Sequence, residues 1–183
     1  MSNGITVLCV CTWNRTRSVM MEALLGHHLA ELGLAAGVRS AGTRADGGLA
    51  TSETVKMLGA RGLDVRGHRG TPLDRRLVTA ADLIVTAEHE HVIDIAGRWP
   101  EAFASTFTLP ELIELVQVHG GLLGAPIGDW KQVLNQGRRV GFEYLDDRSI
   151  ASIADPTGLD RLAWTATFGQ IDDLTQRLAQ AIG

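Results

Sequence analysis

Cysteine is scarce in this 183-residue chain: there are two, Cys9 and Cys11. One residue apart, they cannot form a disulfide framework, and a reducing cytoplasm is the simplest setting for them. Lysine is as rare, with Lys56 and Lys131 alone among 17 basic residues, and the formal net charge is -4. That mild acidity argues against a nucleic-acid partner, which would demand a basic surface. It leaves room for a local arginine-lined pocket, since Arg suits bidentate phosphate contacts. Long apolar runs are missing too. Ile5 to Val10 is too short and lacks the basic leader of a signal peptide, and no run approaches a membrane span. Walker A and dinucleotide glycine patterns are absent. His89-Glu90-His91 is the nearest approach to a metal motif. On a helix, however, residues two apart do not face one another, and no third ligand stands at a suitable spacing. The sequence therefore implies no metal, no cofactor, no nucleic acid and no membrane.

Apolar residues make up 45% and charged residues 21%, enough for a full core in one domain over residues 1–183. Ile5 to Val10 is β-branched and apolar, as a buried parallel strand requires. A polar loop from Cys11 to Arg17 follows, then a helix from Ser18 to Leu32 ended by Gly33. Further strands are expected near Val38 to Ala41, Ala81 to Thr86 and Ser105 to Leu109. Helices are expected over Thr51 to Ala60, Glu88 to Ala96, from Glu111 onward, and Leu159 to Ile182. Strands alternating with helices predict an α/β three-layer sandwich: a four-stranded parallel sheet with helices on both faces. Its site should lie at the carboxyl ends of the strands. Residues 118–152 resist assignment and read as an irregular, insertion-like segment able to cover the pocket. Trp99, Trp130 and Trp164 read as packing residues, and His27-His28 as a surface-and-core pair.

The chemistry sits in Cys11-Thr12-Trp13-Asn14-Arg15-Thr16-Arg17-Ser18, between a strand and a helix. Backbone N–H groups at a helix N-terminus carry partial positive charge, so an anion binds readily there. Five residues between Cys and Arg let the loop curl round one tetrahedral phosphate. The sulfur then sits beneath the phosphorus and the guanidinium grips two oxygens. The same positive field favours a thiolate, and Ser18 can hydrogen-bond the sulfur when it departs. Cys9 and Arg15 have the same spacing. Strand register separates the pairs: Cys9 lies inside the apolar run, Cys11 follows its end, and only Arg17 precedes a hydroxyl residue that opens a helix.

Such a site needs a general acid for the leaving oxygen and then a base for water. Asp155-Pro156 is the best candidate, on a loop stiffened by Pro156 and turned at Gly158. On the residues alone, Asp155 serves equally well as a cap for the last helix.

At this point the chain resembles the low-molecular-weight protein tyrosine phosphatase family. Val10 to Val19 reads VCTWNRTRSV against a family pattern of roughly V-C-x-G-N-x-C-R-S-P. Arg39 to Thr43 matches its SAGT segment, and Gly67-His68-Arg69 its GHR-like loop. Ala81-Asp82-Leu83-Ile84 matches a strand leading to a helix with His91, and Phe107-Thr108-Leu109 with Glu111-Leu112 resembles a TLxEL stretch. Asp155-Pro156 matches its acid loop. These matches run in order over nearly the whole chain outside residues 118–152. The resemblance implies hydrolysis of phosphate monoesters, with phosphotyrosine in proteins as the substrate and inorganic phosphate or other oxyanions as ligands. Cys11 would be the nucleophile, Arg17 the phosphate ligand, and Asp155 the acid and then the base. Asn14 would take a left-handed turn, bonded to Ser40 and supported by His68. Without the resemblance, Ser40 reads as a strand-end hydroxyl and His68 as a surface loop residue.

Three departures bear on this expectation. Trp13 replaces a glycine, at a steric cost if its φ must be positive, or else as a rim residue that stacks on substrate. Thr16 replaces the second cysteine of the motif. Arg15 replaces an apolar wall residue, which suits a more anionic substrate unless it merely faces solvent. Two rival readings share the loop: an arsenate reductase, and an anion-binding module that has lost turnover.

Overall fold

A computed structural model describes residues 4–183. Strand β1 (Ile5–Cys11) lies at the centre of a four-stranded parallel sheet. Its neighbours are β2 (Ala36–Gly42) on one side and β3 (Leu83–Thr86) on the other, with β4 (Thr106–Thr108) at the far edge. Alternation along β1 builds both cores. Val7, Cys9 and Cys11 face a layer that contains α1 (Arg17–Glu31), α5 (Leu109–His119) and α8 (Arg161–Ile182). Leu8 and Val10 face the opposite layer, with α3 (Arg75–Ala80) and α4 (His89–Arg98). The remaining helices are α2 (Ser52–Gly59), α6 (Ile127–Leu134) and α7 (Phe142–Leu145), and Pro100–Ser105 forms a 3₁₀ turn before β4. This is the expected three-layer α/β fold. No described helix is long and apolar enough to cross a membrane.

Several boundaries differ from the sequence expectation. Strand β1 keeps its pairing through Cys11, which is opposite Gly42, so the nucleophile candidate ends the strand instead of opening the loop. The last helix begins at Arg161, where Asp160 accepts a hydrogen bond from the Ala163 N–H at 2.9 Å. The apolar Leu159 lies outside it. Helix α3, with a single buried residue, Val78, is too short to leave a periodic pattern.

Residues 118–152 are not irregular throughout. They hold α6 and α7, organised round Arg138. Its guanidinium is 2.8 Å from a Glu111 oxygen and lies over the rings of Phe103, Phe107 and Tyr144 at 4.2–4.8 Å. Trp130 is buried, its indole N–H bonded to the Gly120 carbonyl, and Trp164 is buried in the larger of the two cores.

Candidate active site

The sheet delivers the Cys11 loop to the carboxyl edge of β1, between a strand that stops and a helix that starts. Asn14 takes the left-handed turn, with φ 52°. Trp13 does not have positive φ, so the large side chain in the glycine position carries no backbone strain. The loop rests directly on Gly42. A Cβ there would lie 2.7 Å from the Thr12 carbonyl oxygen and 2.8 Å from the Asn14 nitrogen, so only glycine fits. Thr16 caps α1 without a side-chain bond to it. Among the described residues the amides of 13–16 have no intramolecular acceptor. A run of free donors at a helix N-terminus is the condition for an anion cradle.

A directed chain of hydrogen bonds fixes the loop and ends on the sulfur. Ser40, beside Cys9 in the β1–β2 register, donates its hydroxyl to the Glu22 carboxylate on α1. The Asn14 amide nitrogen spends its two protons on Ser40 Oγ at 2.8 Å and Ser18 Oγ at 2.9 Å. With its oxygen accepting from Asn14, Ser18 has its own proton free for Cys11 Sγ, 3.0 Å away. Asn14 Oδ1 accepts from the Thr71 N–H at 2.8 Å, and the Asn14 carbonyl accepts from His68 Nε2 at 2.9 Å. Thus Asn14, Ser40 and His68 meet as the resemblance implied. Thr71 and Glu22 complete the set without any sequence signal to single them out.

Arg17 is almost wholly buried. Its Nη1 donates to the Ile153 carbonyl at 2.9 Å and lies 3.0 Å from a Glu88 oxygen, while Nη2 bonds Asp155 Oδ2 at 2.9 Å. The buried Nε–H has no partner among the described residues. Burial alone would push the Asp155 carboxyl up. The Thr157 backbone and hydroxyl, together with Arg17, outweigh burial and hold it below the usual carboxylate value. Asp155 does not cap α8, because Asp160 does. Glu88 was missed by sequence reasoning. Its position two residues past the end of β3 was the available clue, since that edge is where α/β sites form.

His91 is occupied in a different way from a metal ligand. Its Nδ1 accepts from the Glu88 N–H at 3.1 Å, which leaves the proton on Nε2 to donate to Thr12 Oγ1 at 3.0 Å. Burial pushes His91 down to about 4 against the pull of Glu88, with the Arg17 guanidinium adding to the depression. The unfolded chain takes this proton near the ordinary 6.5. Between the two values the unfolded state binds more protons, so stability is full above about pH 7 and falls as pH drops from 6.5 toward 4. Thermal melts over this range should show wild type losing about 1–3 kcal/mol more than His91→Gln. Parallel losses would show that His91 does not titrate this way.

A cavity of about 380 Å³ opens over the loop. Cys11, Thr16 and Arg17 form its base, and Asp155 and Thr157 one side. Trp13, Arg15, Asp46 and Thr51 complete the lining. Trp13 stands on the rim, 48% exposed. Arg15 is anchored by Nε to the Leu49 carbonyl at 2.8 Å and lines the cavity instead of merely facing water. No residue of 118–152 lines it, against the expectation that this segment could cover the pocket. Cys9 is fully buried, and burial, then Glu22 and Cys11, push its thiol up.

This combination of fold and loop recurs in known proteins. The family model described as low molecular weight phosphotyrosine protein phosphatase matches residues 6–121. A protein-arginine-phosphatase of Bacillus subtilis is 34% identical over 134 residues, 71% of this chain and 87% of that protein. A probable low molecular weight protein-tyrosine-phosphatase, EpsP of Ralstonia nicotianae, is 35% identical over 108 residues, 58% of this chain and 72% of its own. The crystal structure of a YwlE mutant from Bacillus subtilis superposes with a TM-score of 0.74 at 26% identity, covering 97% of both chains. With a matching family model over most of its length and a curated relative at this identity, the chain belongs to the low molecular weight phosphotyrosine protein phosphatase family and is a phosphatase.

Proposed function

We propose that the chain hydrolyses phosphate monoesters on protein side chains, phosphotyrosine above all, through a phosphate bound covalently to Cys11, in the cytoplasm and without metal or cofactor. One observation carries this reading: Cys11, Arg17 and Asp155 line a single cavity, with the Ser18 hydroxyl 3.0 Å from the sulfur. The amides of residues 12–18 and the Arg17 guanidinium take up the phosphate oxygens. The Cys11 thiolate attacks phosphorus while the P–O bond to the leaving group breaks, and Asp155 gives that oxygen its proton. Water then attacks the thiophosphate, Asp155 takes a proton back, and the S–P bond breaks with Ser18 donating to the departing sulfur. Asp155 rests ionised against Arg17. A dianionic phosphate competes for that guanidinium and repels the carboxylate, which favours the protonated acid when substrate is bound.

The relay of a reductase needs a second reachable thiol, and Cys9 is fully buried, which favours hydrolysis over arsenate reduction. An oxyanion-binding module would need neither nucleophile nor acid. A second substrate deserves a direct comparison: the Bacillus subtilis relative is named for protein arginine phosphate. Arg15 in the cavity wall repels a guanidinium and favours a phenyl ring with anionic neighbours, whereas Asp46 opposite in charge does the reverse. Matched phosphotyrosine and phosphoarginine peptides decide between them.

The test of the acid is leaving-group dependence. With chelator present, Asp155→Ala should slow phenyl phosphate hydrolysis by about 10²–10³-fold. Para-nitrophenyl phosphate should suffer much less, because nitrophenolate departs without a proton. Equal losses on both esters would remove Asp155 from the acid role, and loss of wild-type turnover to chelator would sink the metal-free mechanism.

A further inference from the structure

A second cleft lies beside the catalytic cavity, between α2 and α8, and at about 600 Å³ it is the larger of the two. Two chain segments run from the lining of one to the lining of the other. Thr51 lines the cavity and Glu53 the cleft; Thr157 lines the cavity and Leu159 the cleft. Two residues span at most about 7 Å, so a peptide held by its phosphate in the Cys11 loop reaches the cleft within a few positions.

We propose that this cleft binds the polypeptide flanking the phosphorylated residue, and that it takes a bulky apolar side chain accompanied by carboxylates. The inference rests on the phosphatase reading of the adjoining cavity. Met57, Leu159, Trp164 and Phe168 give the cleft an apolar interior, and Leu159 remains 59% exposed. Small-molecule and side-chain sites share this make-up of apolar walls with a few placed charges. Its charge runs against that of the chain as a whole, which is -4. Three cations line it and one carboxylate, Glu53. Arg61 is already engaged, paired with Asp172 and lying 5.7 Å over the Phe168 ring. Lys56 and Arg161 have no ion-pair partner among the described residues. Arg161 is also the first residue of α8, where the helix dipole adds positive potential and disfavours a cation that lacks an anion. An acidic segment supplies what both side chains lack, and an aromatic or long aliphatic residue covers Leu159.

The probes are phosphotyrosine peptides carrying Phe-Glu-Glu at one to four residues on either side, each matched to Ala-Lys-Lys at the same place. In at least one register the acidic-aromatic peptide should show a KM lower by about tenfold at similar kcat. The double variant Lys56→Glu/Arg161→Glu should abolish that advantage, and Leu159→Asn should reduce it. Both should leave kcat/KM for para-nitrophenyl phosphate within about twofold, since no long-range contact to the loop is removed. No preference in any register, or a preference that survives the double variant, overturns the proposal. So does a double variant that changes only the oligomeric state, which would make the cleft a face between two copies. If no form of the protein turns over para-nitrophenyl phosphate, the reading of the catalytic cavity has failed instead. The cleft is then judged by fluorescence anisotropy of the same peptides, and equal affinity for wild type and double variant sinks it.

Discussion

Replacing Cys11 by serine should eliminate turnover of para-nitrophenyl phosphate, by at least about 10⁴-fold, with little change in the thermal midpoint. The change is nearly isosteric. Cys11 is buried at the end of β1 with Gly42 as its strand partner, and a serine there keeps the hydrogen bond to Ser18. What disappears is nucleophilicity. Sulfur is intrinsically the stronger nucleophile and the better leaving group from phosphorus, and an alcohol oxygen in its place is neither. Cys9→Ala is the matched control. It removes a fully buried sulfur from the core, so it should cost stability and spare kcat. The reverse pattern, activity lost with Cys9 and kept without Cys11, would assign the chemistry to the Cys9–Arg15 spacing and dismantle the mechanism. Phosphate binding measured by calorimetry should survive in Cys11→Ser, which separates loss of chemistry from loss of the cradle.

Arg17→Lys keeps the charge and is nevertheless expected to damage both stability and activity. Arg17 bridges Ile153, Glu88 and Asp155 with one planar group, and a single ammonium cannot span three partners in different directions. At least one buried acceptor or carboxylate loses its partner. Removing such a partner from a buried pair is costly, and a loss of about 2–3 kcal/mol in stability is expected by chemical denaturation. The kcat/KM for para-nitrophenyl phosphate should fall by about 10³-fold, because bidentate grip on the equatorial oxygens disappears as well. A variant as unstable as expected but with normal kcat/KM would make Arg17 a purely structural tie. Normal stability with lost activity would mean that the contacts to Ile153 and Glu88 matter little to the fold.

The difference between what could be read and what could not follows from range and polarity. The Cys11 loop was legible because its determinants are consecutive: an apolar strand, a polar turn, a helix. Asp155 was legible as a candidate but ambiguous in role, since Asp-Pro before a helix is also how caps look. Asp160 at the N-cap of α8 removes the capping reading of Asp155. Asn14, Ser40 and His68 became visible through resemblance, because their contacts join residues 26 and 54 positions apart. Trp13 looked like a liability from its type alone. Its backbone takes an ordinary conformation, and Asn14 bears the left-handed turn. Residues 118–152 were misread for a different reason. Their organising residue is a charged one, Arg138, buried between aromatic rings and paired with Glu111. Hydrophobic periodicity does not detect a core built round a guanidinium.

The span between Arg17 and Asp155, 138 positions, sets the order in which the site is assembled. The β1–α1–β2 unit closes over short loops and can form early, and it carries the thiol, Asn14 and Ser40. Asp155 joins only when the chain has returned to β3, where the Ile153 N–H bonds the Ala87 carbonyl at 2.7 Å. Helix α8 must also settle on α1, where His28 meets Asp172 at 3.1 Å. Such distant closures lag behind local ones because their entropy is lost before their contacts are gained. At a synthesis rate of about 5–20 residues per second, the Cys11 loop waits on the order of ten seconds for the Asp155 carboxylate. Over that interval the cavity lacks the side that Asp155 and Thr157 supply. Completion of the cavity is therefore expected to come late in folding, when α8 packs beside α1.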